Sequence, residues 1–380
     1  MSILDSETKV ALVSLEHQLG GAERSLLELA RGLRRSDSAH CHVLCPINGA
    51  WKDFLSQDKI PHSEMKVWKP MKLGGVGAGV ANVGAVVYNS LSILFALKRL
   101  KPALVHANGQ LAALFCVIAT RMLGLPCVWH VRDFPHRQWL TKLLCCCCDS
   151  IVCPSNFIRE SILACVPGCE PKLVVTYNPV SAKAWMSCLS DEVAADHPFT
   201  FLMVAQIVPW KGQDLYISAA GVLASKYPLV SFVHIGTDMS GYNSGYYEQL
   251  KSSVRKIGLQ DRFYFAEFTQ DIQSAVSRCD VVVLPSKQEP FGRVVVEAWI
   301  AGKPVIVSDC GGPAELVTHG INGLVFASGN AAELAASMEE MSQDATLRHR
   351  LGAAGKAKAR QFNADNHTRD ICRVYERLLV

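Results

Sequence analysis

Twice along this chain, short apolar runs rich in β-branched residues alternate with longer stretches of helical periodicity, and this repeat restricts the fold more than any other feature. In the first half, strand-like runs at 10–15, 41–46, 103–107 and 128–131 are interleaved with helical stretches at 21–33, 83–100 and 110–123. Consecutive parallel strands need a crossover, usually a helix, so such alternation predicts a parallel sheet with helices on both faces. The pattern stops between 178 and 198, where Pro179, Ser181, Ser187, Ser190, Asp191 and Pro198 collect, and restarts with runs at 199–204, 230–235, 263–265, 281–284 and 305–307. A chain of 380 residues is long enough for two domains with separate cores. The expected fold is α/β: two doubly wound Rossmann-like domains facing a central cleft. The first spans residues 1–180, a linker 181–197, the second domain 198–361 and a terminal helix 362–380, with Ile371, Val374, Tyr375 and Leu378 at helical spacing. Ligands of such sheets bind at the carboxyl ends of the strands.

At one such strand end, two carboxylates flank a turn. The run 281–284 is followed by Pro285-Ser286-Lys287-Gln288-Glu289-Pro290, after which a helical pattern begins near Phe291 and carries Glu297 about two turns inside. At ~1.5 Å per residue, eight helical residues would separate Glu289 from Glu297 by ~12 Å, about the sugar-to-ribose span of a nucleoside-diphosphate sugar. Between them the amides of Phe291, Gly292 and Arg293 at a helix N-terminus favour a diphosphate. One carboxylate can hold sugar hydroxyls and the other the ribose diol. Gly20-Gly21 follows the first strand and opens a helix, so its backbone can approach a sugar diphosphate closely, while Glu23 either faces an acceptor or starts the helix favourably.

These residues resemble the retaining family-4 type of glycosyltransferase (glycosyl transferases group 1, GT-B fold), whose motif is Glu, seven residues, Glu within Pro-Ser-x-x-Glu-x-Phe-Gly. Here that context is complete, and Gly20-Gly21-Ala22-Glu23-Arg24, Lys211-Gly212, Gly302-Lys303-Pro304-Val305 and Gly311-Gly312-Pro313-Ala314-Glu315 follow in the family's order. The resemblance implies that Lys211 neutralises the leaving diphosphate. The Arg that commonly stands about five positions earlier is replaced by Gln206, with Arg293 a candidate substitute or a solvated first-turn residue. It also implies that His130, at a strand end, meets donor sugar and acceptor, and that the last helix crosses back to brace the first domain. Arg132 and Asp133 are candidates for binding the acceptor, or for pairing with each other.

The expected catalytic set is therefore Glu289, Lys211 and His130. The donor set is Gly20, Gly21, Gln206, Lys211, Phe291, Gly292, Arg293 and Glu297, and the acceptor set Glu23, Arg132 and Asp133. No metal and no separate cofactor are expected. The sequence contains no Asp-x-Asp pair to bridge a metal to the diphosphate, so protein cations and helix dipoles take that role. The donor is a nucleoside-diphosphate sugar, UDP favoured over GDP on family frequency, and the acceptor a carbohydrate or lipid-linked molecule of polysaccharide biosynthesis. Two competing readings share the architecture: a catalytically inactive sugar-nucleotide binder, suggested by Gln206, and a hydrolysing sugar-nucleotide epimerase. Donor consumption with and without acceptor separates them from a transferase. A nicotinamide dehydrogenase is disfavoured because Gly77-Ala78-Gly79 is followed by Asn82 and lacks a preceding strand.

A net charge of +4 argues against a nucleic-acid surface. The N-terminal residues lack the pattern of a secretion signal, so the 15 cysteines are expected as reduced thiols in the cytoplasm. Cys145 to Cys148 read as small buried hydrophobes at a helix end, and His40-Cys41-His42 with Cys45 as a strand with one buried face. The stretch 74–97 is apolar but includes Asn82, Tyr88, Asn89, Ser90 and Ser92, which disfavours a spanning helix. A core-packed helix and a surface-seated one, with peripheral contact at the inner face of a membrane, remain open.

Overall fold

A computed structural model of the chain describes residue 4 and residues 7–47, 49–68, 76–135, 137–181, 198–238, 245–267, 269 and 271–380, with 76–81 described by backbone alone. From residue 182 on, the expected linker lies outside the described residues. Contacts divide the chain into two units, Met1–Pro179 with Ala364–Val380, and Val180–Asn363.

The first unit runs β1 (Lys9–Val13), α1 (Gly21–Ser36), β2 (His40–Pro46), α2 (Lys52–Gln57), β3 (His62–Met65), α3 (Val76–Leu100), β4 (Leu104–Asn108), α4 (Gln110–Leu123), β5 (Cys127–His130), α5 (Gln138–Cys147), β6 (Ser150–Cys153), α6 (Asn156–Cys165) and β7 (Leu173–Val175). Its strands pair in parallel in the order β3-β2-β1-β4-β5-β6-β7. Alternation along β1 shows why both faces are covered: Ala11 and Val13 enter a core shared with α3, α4 and α5, while Val10 and Leu12 enter one shared with α1. Sequence reasoning did not propose α2 or β3. The former is six residues long, and β3 is an edge strand whose only buried residue is Met65, so neither carries a periodic signal.

The second unit runs β8 (Phe199–Val204), α7 (Gln213–Lys226), β9 (Val230–Ile235), α8 (Tyr246–Lys256), β10 (Phe263–Ala266), α9 (Ile272–Arg278), β11 (Val281–Leu284), α10 (Arg293–Ile300), β12 (Val305–Ser308), α11 (Gly312–Leu316), β13 (Leu324–Phe326), α12 (Ala331–Gln343) and α13 (Ala345–Ala359). Its parallel order is β10-β9-β8-β11-β12-β13. Val180, expected to close the first domain, belongs here because its amide donates to Phe362 O at 2.8 Å and its side chain joins a core with Phe291 and Phe362. The terminal helix α14 (Ala364–Leu379) belongs to the first unit, where Ile371, Val374 and Tyr375 pack in the α1 core.

Candidate functional site

In each sheet the strand order reverses once, between β1 and β4 and between β8 and β11. Connections leave a reversal in opposite directions and open a crevice at the carboxyl ends of the strands. A polar cluster lies at each reversal.

In the first unit the cluster is buried. Glu23, in the first turn of α1, is 3% exposed, and its Oε1 accepts from Ser14 Oγ, just past β1, at 3.2 Å and from Asn108 Nδ2, at the end of β4, at 3.5 Å. Arg132, just past β5, donates from Nε to Asn108 Oδ1 at 2.6 Å and from Nη1 to Asn178 Oδ1 at 2.5 Å. Burial pushes the Glu23 carboxyl up to about 7, against the opposing effect of a backbone hydrogen bond. Gly20 is the N-cap of α1 and Gly21 its first residue, so both stand at the same strand end as Glu23. Asp133 is exposed.

His130 ends β5 with no exposed surface. Its Nδ1 meets His106 Nε2 at 3.1 Å, and His106 Nδ1 meets Tyr375 Oη at 2.8 Å, which ties α14 to the sheet. His367 stacks on His130 with ring centroids 5.8 Å apart, and its Nδ1 meets Tyr177 O at 2.9 Å. Burial, aided by the positive charge of Arg132, holds His106 and His130 well below the ordinary imidazole range. The chain of hydrogen bonds can run in either direction, and with both rings neutral it leaves His130 Nε2 over, without a hydrogen-bond partner.

In the second unit the cluster consists of ion pairs. After β8, Pro209–Lys211 forms a single 3₁₀ turn that ends at Gly212, whose φ of +78° lies in the left-handed region. A Cβ there would stand 2.2 Å from Pro285 O, so only glycine lets this loop press against the one that follows β11. Lys287 N donates to Trp210 O at 2.8 Å across the same seam. Gln213 Nε2, at the start of α7, bonds the carbonyl of Gln206 at 2.7 Å, whereas the side chain of Gln206 is exposed. The result brings Lys211 Nζ to Glu289 Oε2 at 2.5 Å, with side chains 17% and 14% exposed. The backbone of Glu289 is held from the other side, where Gly312 N donates to its carbonyl at 2.8 Å.

Two expectations are corrected here. The helix begins at Arg293, not near Phe291, because Gly292 is its N-cap in a left-handed conformation, φ +86°. Glu297 is thus four residues inside, about one turn and ~6 Å along the axis, and the ~12 Å helical separation from Glu289 does not apply. Phe291 precedes the helix and its side chain is a core anchor, packed edge-on against Phe362 at 5.9 Å. In place of a solvated first-turn side chain, Arg293 pairs with Glu297, Nη2 to Oε1 at 3.4 Å, with both side chains about 15% exposed.

Sequence reasoning missed Ser14, His106, Asn108, Asn178, His367 and Tyr375 as members of the first cluster. A signal existed for two of them, since His106-Ala107-Asn108 closes a strand with the same polar alternation as His130-Val131-Arg132. The cysteine run is also divided: Cys145 and Cys148 are buried, but Cys146 is exposed because α5 turns it outward. Lys172 Nζ bonds the carbonyls of Cys145 and Cys148, and Arg121 that of Cys147, so cations close the C-terminal end of α5. Among the described residues no group of three or more His, Cys, Asp or Glu is placed to hold a metal ion.

Comparison with known proteins gives this geometry its family. The model of glycosyl transferases group 1 matches residues 190–358, and that of Glycosyltransferase Family 4 matches residues 19–183. The lipopolysaccharide core biosynthesis glycosyltransferase LpsE of Rhizobium meliloti is 32% identical over 336 residues, 88% of this chain and 89% of that protein. The uncharacterized glycosyltransferase MJ1178 of Methanocaldococcus jannaschii is 30% identical over 60% of each chain, so that match spans less than two thirds of its length. Among solved structures, Anabaena Alr3699/HepE in complex with UDP and glucose superposes with a TM-score of 0.82 at 25% identity, covering 98% of this chain and all of that one.

Proposed function

Because the chain belongs to the family-4, group 1 glycosyltransferases of the GT-B fold, we propose that it moves a hexosyl group from a nucleoside-diphosphate sugar to a carbohydrate or lipid-linked acceptor, with retention of anomeric configuration and without a metal. The observation that carries this reading is the Lys211–Glu289 pair at the reversal of the second sheet, with Glu289 four residues ahead of α10 in the chain. A diphosphate seated at that helix end draws Lys211 away from Glu289. The cation then faces the charge that develops on the leaving phosphate, and the freed carboxylate takes sugar hydroxyls. Glu297 serves the ribose diol. In the reaction the bond from the anomeric carbon to the phosphate oxygen breaks and a bond to the acceptor oxygen forms on the same face. The acceptor proton passes to a phosphate oxygen of the leaving group, so no further reactant is needed.

The first cluster supplies the acceptor side of the proposal. Glu23 and Arg132 are its charged groups, and His130 Nε2 its spare neutral imidazole nitrogen. UDP is the favoured carrier, supported by the UDP complex of HepE, with GDP second. The role of LpsE supports a cell-envelope acceptor, and the cytosol is the proposed compartment. One observation favours a second reading, an inactive sugar-nucleotide binder: Gln206 stands where the family commonly has an arginine, and Arg293 is engaged with Glu297.

The test is incubation with UDP- and GDP-sugars, with and without oligosaccharide acceptors, in the presence of a chelator. Acceptor-dependent donor consumption is expected, with the product anomer read by NMR. Donor binding without consumption would establish the inactive binder. Acceptor-independent conversion would establish an epimerase, and an inverted anomer or loss of activity to the chelator would overturn retention or metal independence.

A further inference from the structure

Helix α3 was open to two readings, and the structure makes it partly both. Asn89, Ser90, Ile93, Leu94 and Leu97 are buried, and Asn89 holds the backbone of Trp68 through two hydrogen bonds, so this face is committed to the core. The opposite face is apolar and exposed. Val83, Val87, Leu91 and Phe95 recur every four residues with exposures of 65%, 50%, 45% and 62%. Asn82–Leu100 is long and apolar enough to cross a membrane by length and mean hydropathy, yet one third of it is buried in the unit, which a lipid-spanning helix could not keep.

The same surface continues onto the neighbouring helices. Leu111, Ile118 and Met122 are exposed on α4, and Trp139 and Leu143 on α5. Of the eighteen large apolar side chains exposed among the described residues, ten lie on these three helices. They share one face of the first sheet, since all three contribute to the same core. Exposed apolar side chains concentrated on neighbouring helices of one sheet face mark a candidate interaction site.

Charge identifies the occupant. Residues 66–147 carry ten Lys and Arg against a single acidic residue, Asp133, whereas the rest of the chain carries 28 basic and 33 acidic residues. Lys98 and Arg99 in the last turn of α3, Lys101 just past it, Arg137 at the N-cap of α5 and Lys142 on α5 are exposed, and Lys98 and Arg99 follow Phe95 by about one helical turn. Pairing two copies of this face would set like charges against one another, which disfavours a dimer. An apolar face with a basic border and an exposed tryptophan matches the interfacial layer of a bilayer that carries anionic lipid.

We propose that the α3–α4–α5 face of the first unit seats on an anionic lipid surface, with Phe95 and Trp139 entering the headgroup layer and the flanking lysines and arginines meeting lipid phosphates. This contact does not rest on the glycosyl-transfer reading and is measured without donor or acceptor. The full chain is centrifuged with vesicles of phosphatidylcholine alone or with added phosphatidylglycerol. Binding is expected to be at least about tenfold stronger on the anionic vesicles and to weaken with salt. Phe95→Glu, Trp139→Ala and the pair Lys98→Glu with Arg99→Glu should each reduce it several-fold while circular dichroism stays unchanged, because these side chains are exposed. Equal recovery in the supernatant for both vesicle types would overturn the proposal. So would sedimentation velocity showing a dimer that Phe95→Glu dissolves, which would give the face to a second copy.

Discussion

At the reversal of the first sheet, Glu23, His106, His130 and Arg132 are buried in two hydrogen-bonded series, Glu23–Asn108–Arg132 and Tyr375–His106–His130, and burial keeps the imidazoles neutral. At the reversal of the second, Lys211 with Glu289 and Arg293 with Glu297 form two ion pairs that keep some exposure to solvent. The contrast separates two ways of preparing a site. A buried series of hydrogen bonds has its geometry settled before any ligand arrives, because each broken link leaves a desolvated polar group. Ion pairs that keep some exposure hold their charges ready, and a charged ligand that takes the place of one partner keeps the other charge from being left unpaired. Under the proposed function, a ligand carrying a diphosphate would use the second arrangement, and a neutral hydroxylated one the first.

The largest expected effect tests the exchange. Lys211→Ala should lower kcat by about 10²–10³, the scale of losing one preorganised partner of a developing charge. Glu289→Ala should lower turnover while calorimetry shows UDP affinity retained, and Glu297→Ala should weaken UDP. Equal loss of UDP affinity in the two Glu variants would erase the division of roles.

Next comes the pH dependence of the first cluster. The folded state holds the Glu23 proton up to about 7 against 4.5 when unfolded, so this group favours the fold in acid and that advantage is lost as pH rises through the window, by about 3 kcal/mol in all. The buried histidines act in the opposite sense, because only the unfolded chain takes up their protons below about 6.5. Glu23→Gln should therefore steepen the rise of stability with pH between 4.5 and 7 in urea titrations. Parallel curves for parent and variant would mean that Glu23 ionises normally.

Tyr375→Phe comes third. Removing the hydroxyl leaves His106 Nδ1 buried without that partner, at a cost of about 1–3 kcal/mol measured by denaturation. An unchanged midpoint would show that the series is not rigid.

The smallest effect concerns Arg293. Since it is engaged with Glu297, Arg293→Ala and Gln206→Arg should act additively on turnover, within about 0.5 kcal/mol. A larger coupling would place both positions on one phosphate and move Arg293 into the catalytic machinery.

Much of the architecture was legible because it rests on local patterns. The run 281–284 was readable as a strand from four consecutive apolar residues, and Gln110–Leu123 as a helix from its spacing, and both bounds agree with the structure. Where the pattern is weak, as in β3, the sequence was silent. The start of α10 was misplaced because the apolar residue Phe291 reads as helical, while the left-handed Gly292 postpones the first turn by two residues.

Sequence by itself determined two parallel sheets, the family, and the identity of Lys211 and Glu289 as charged groups in the loops after two strands and of Glu297 as one inside the following helix, because periodicity and motif spacing are properties of neighbouring residues. Only the tertiary structure decided which charges meet. Lys211 and Glu289 stand 78 positions apart, and His106 and Tyr375 stand 269 apart, and no local pattern encodes a contact at such separation. Protonation belongs to the same level: a carboxyl at about 7 and neutral imidazoles arise from desolvation, which depends on what the rest of the chain packs around them.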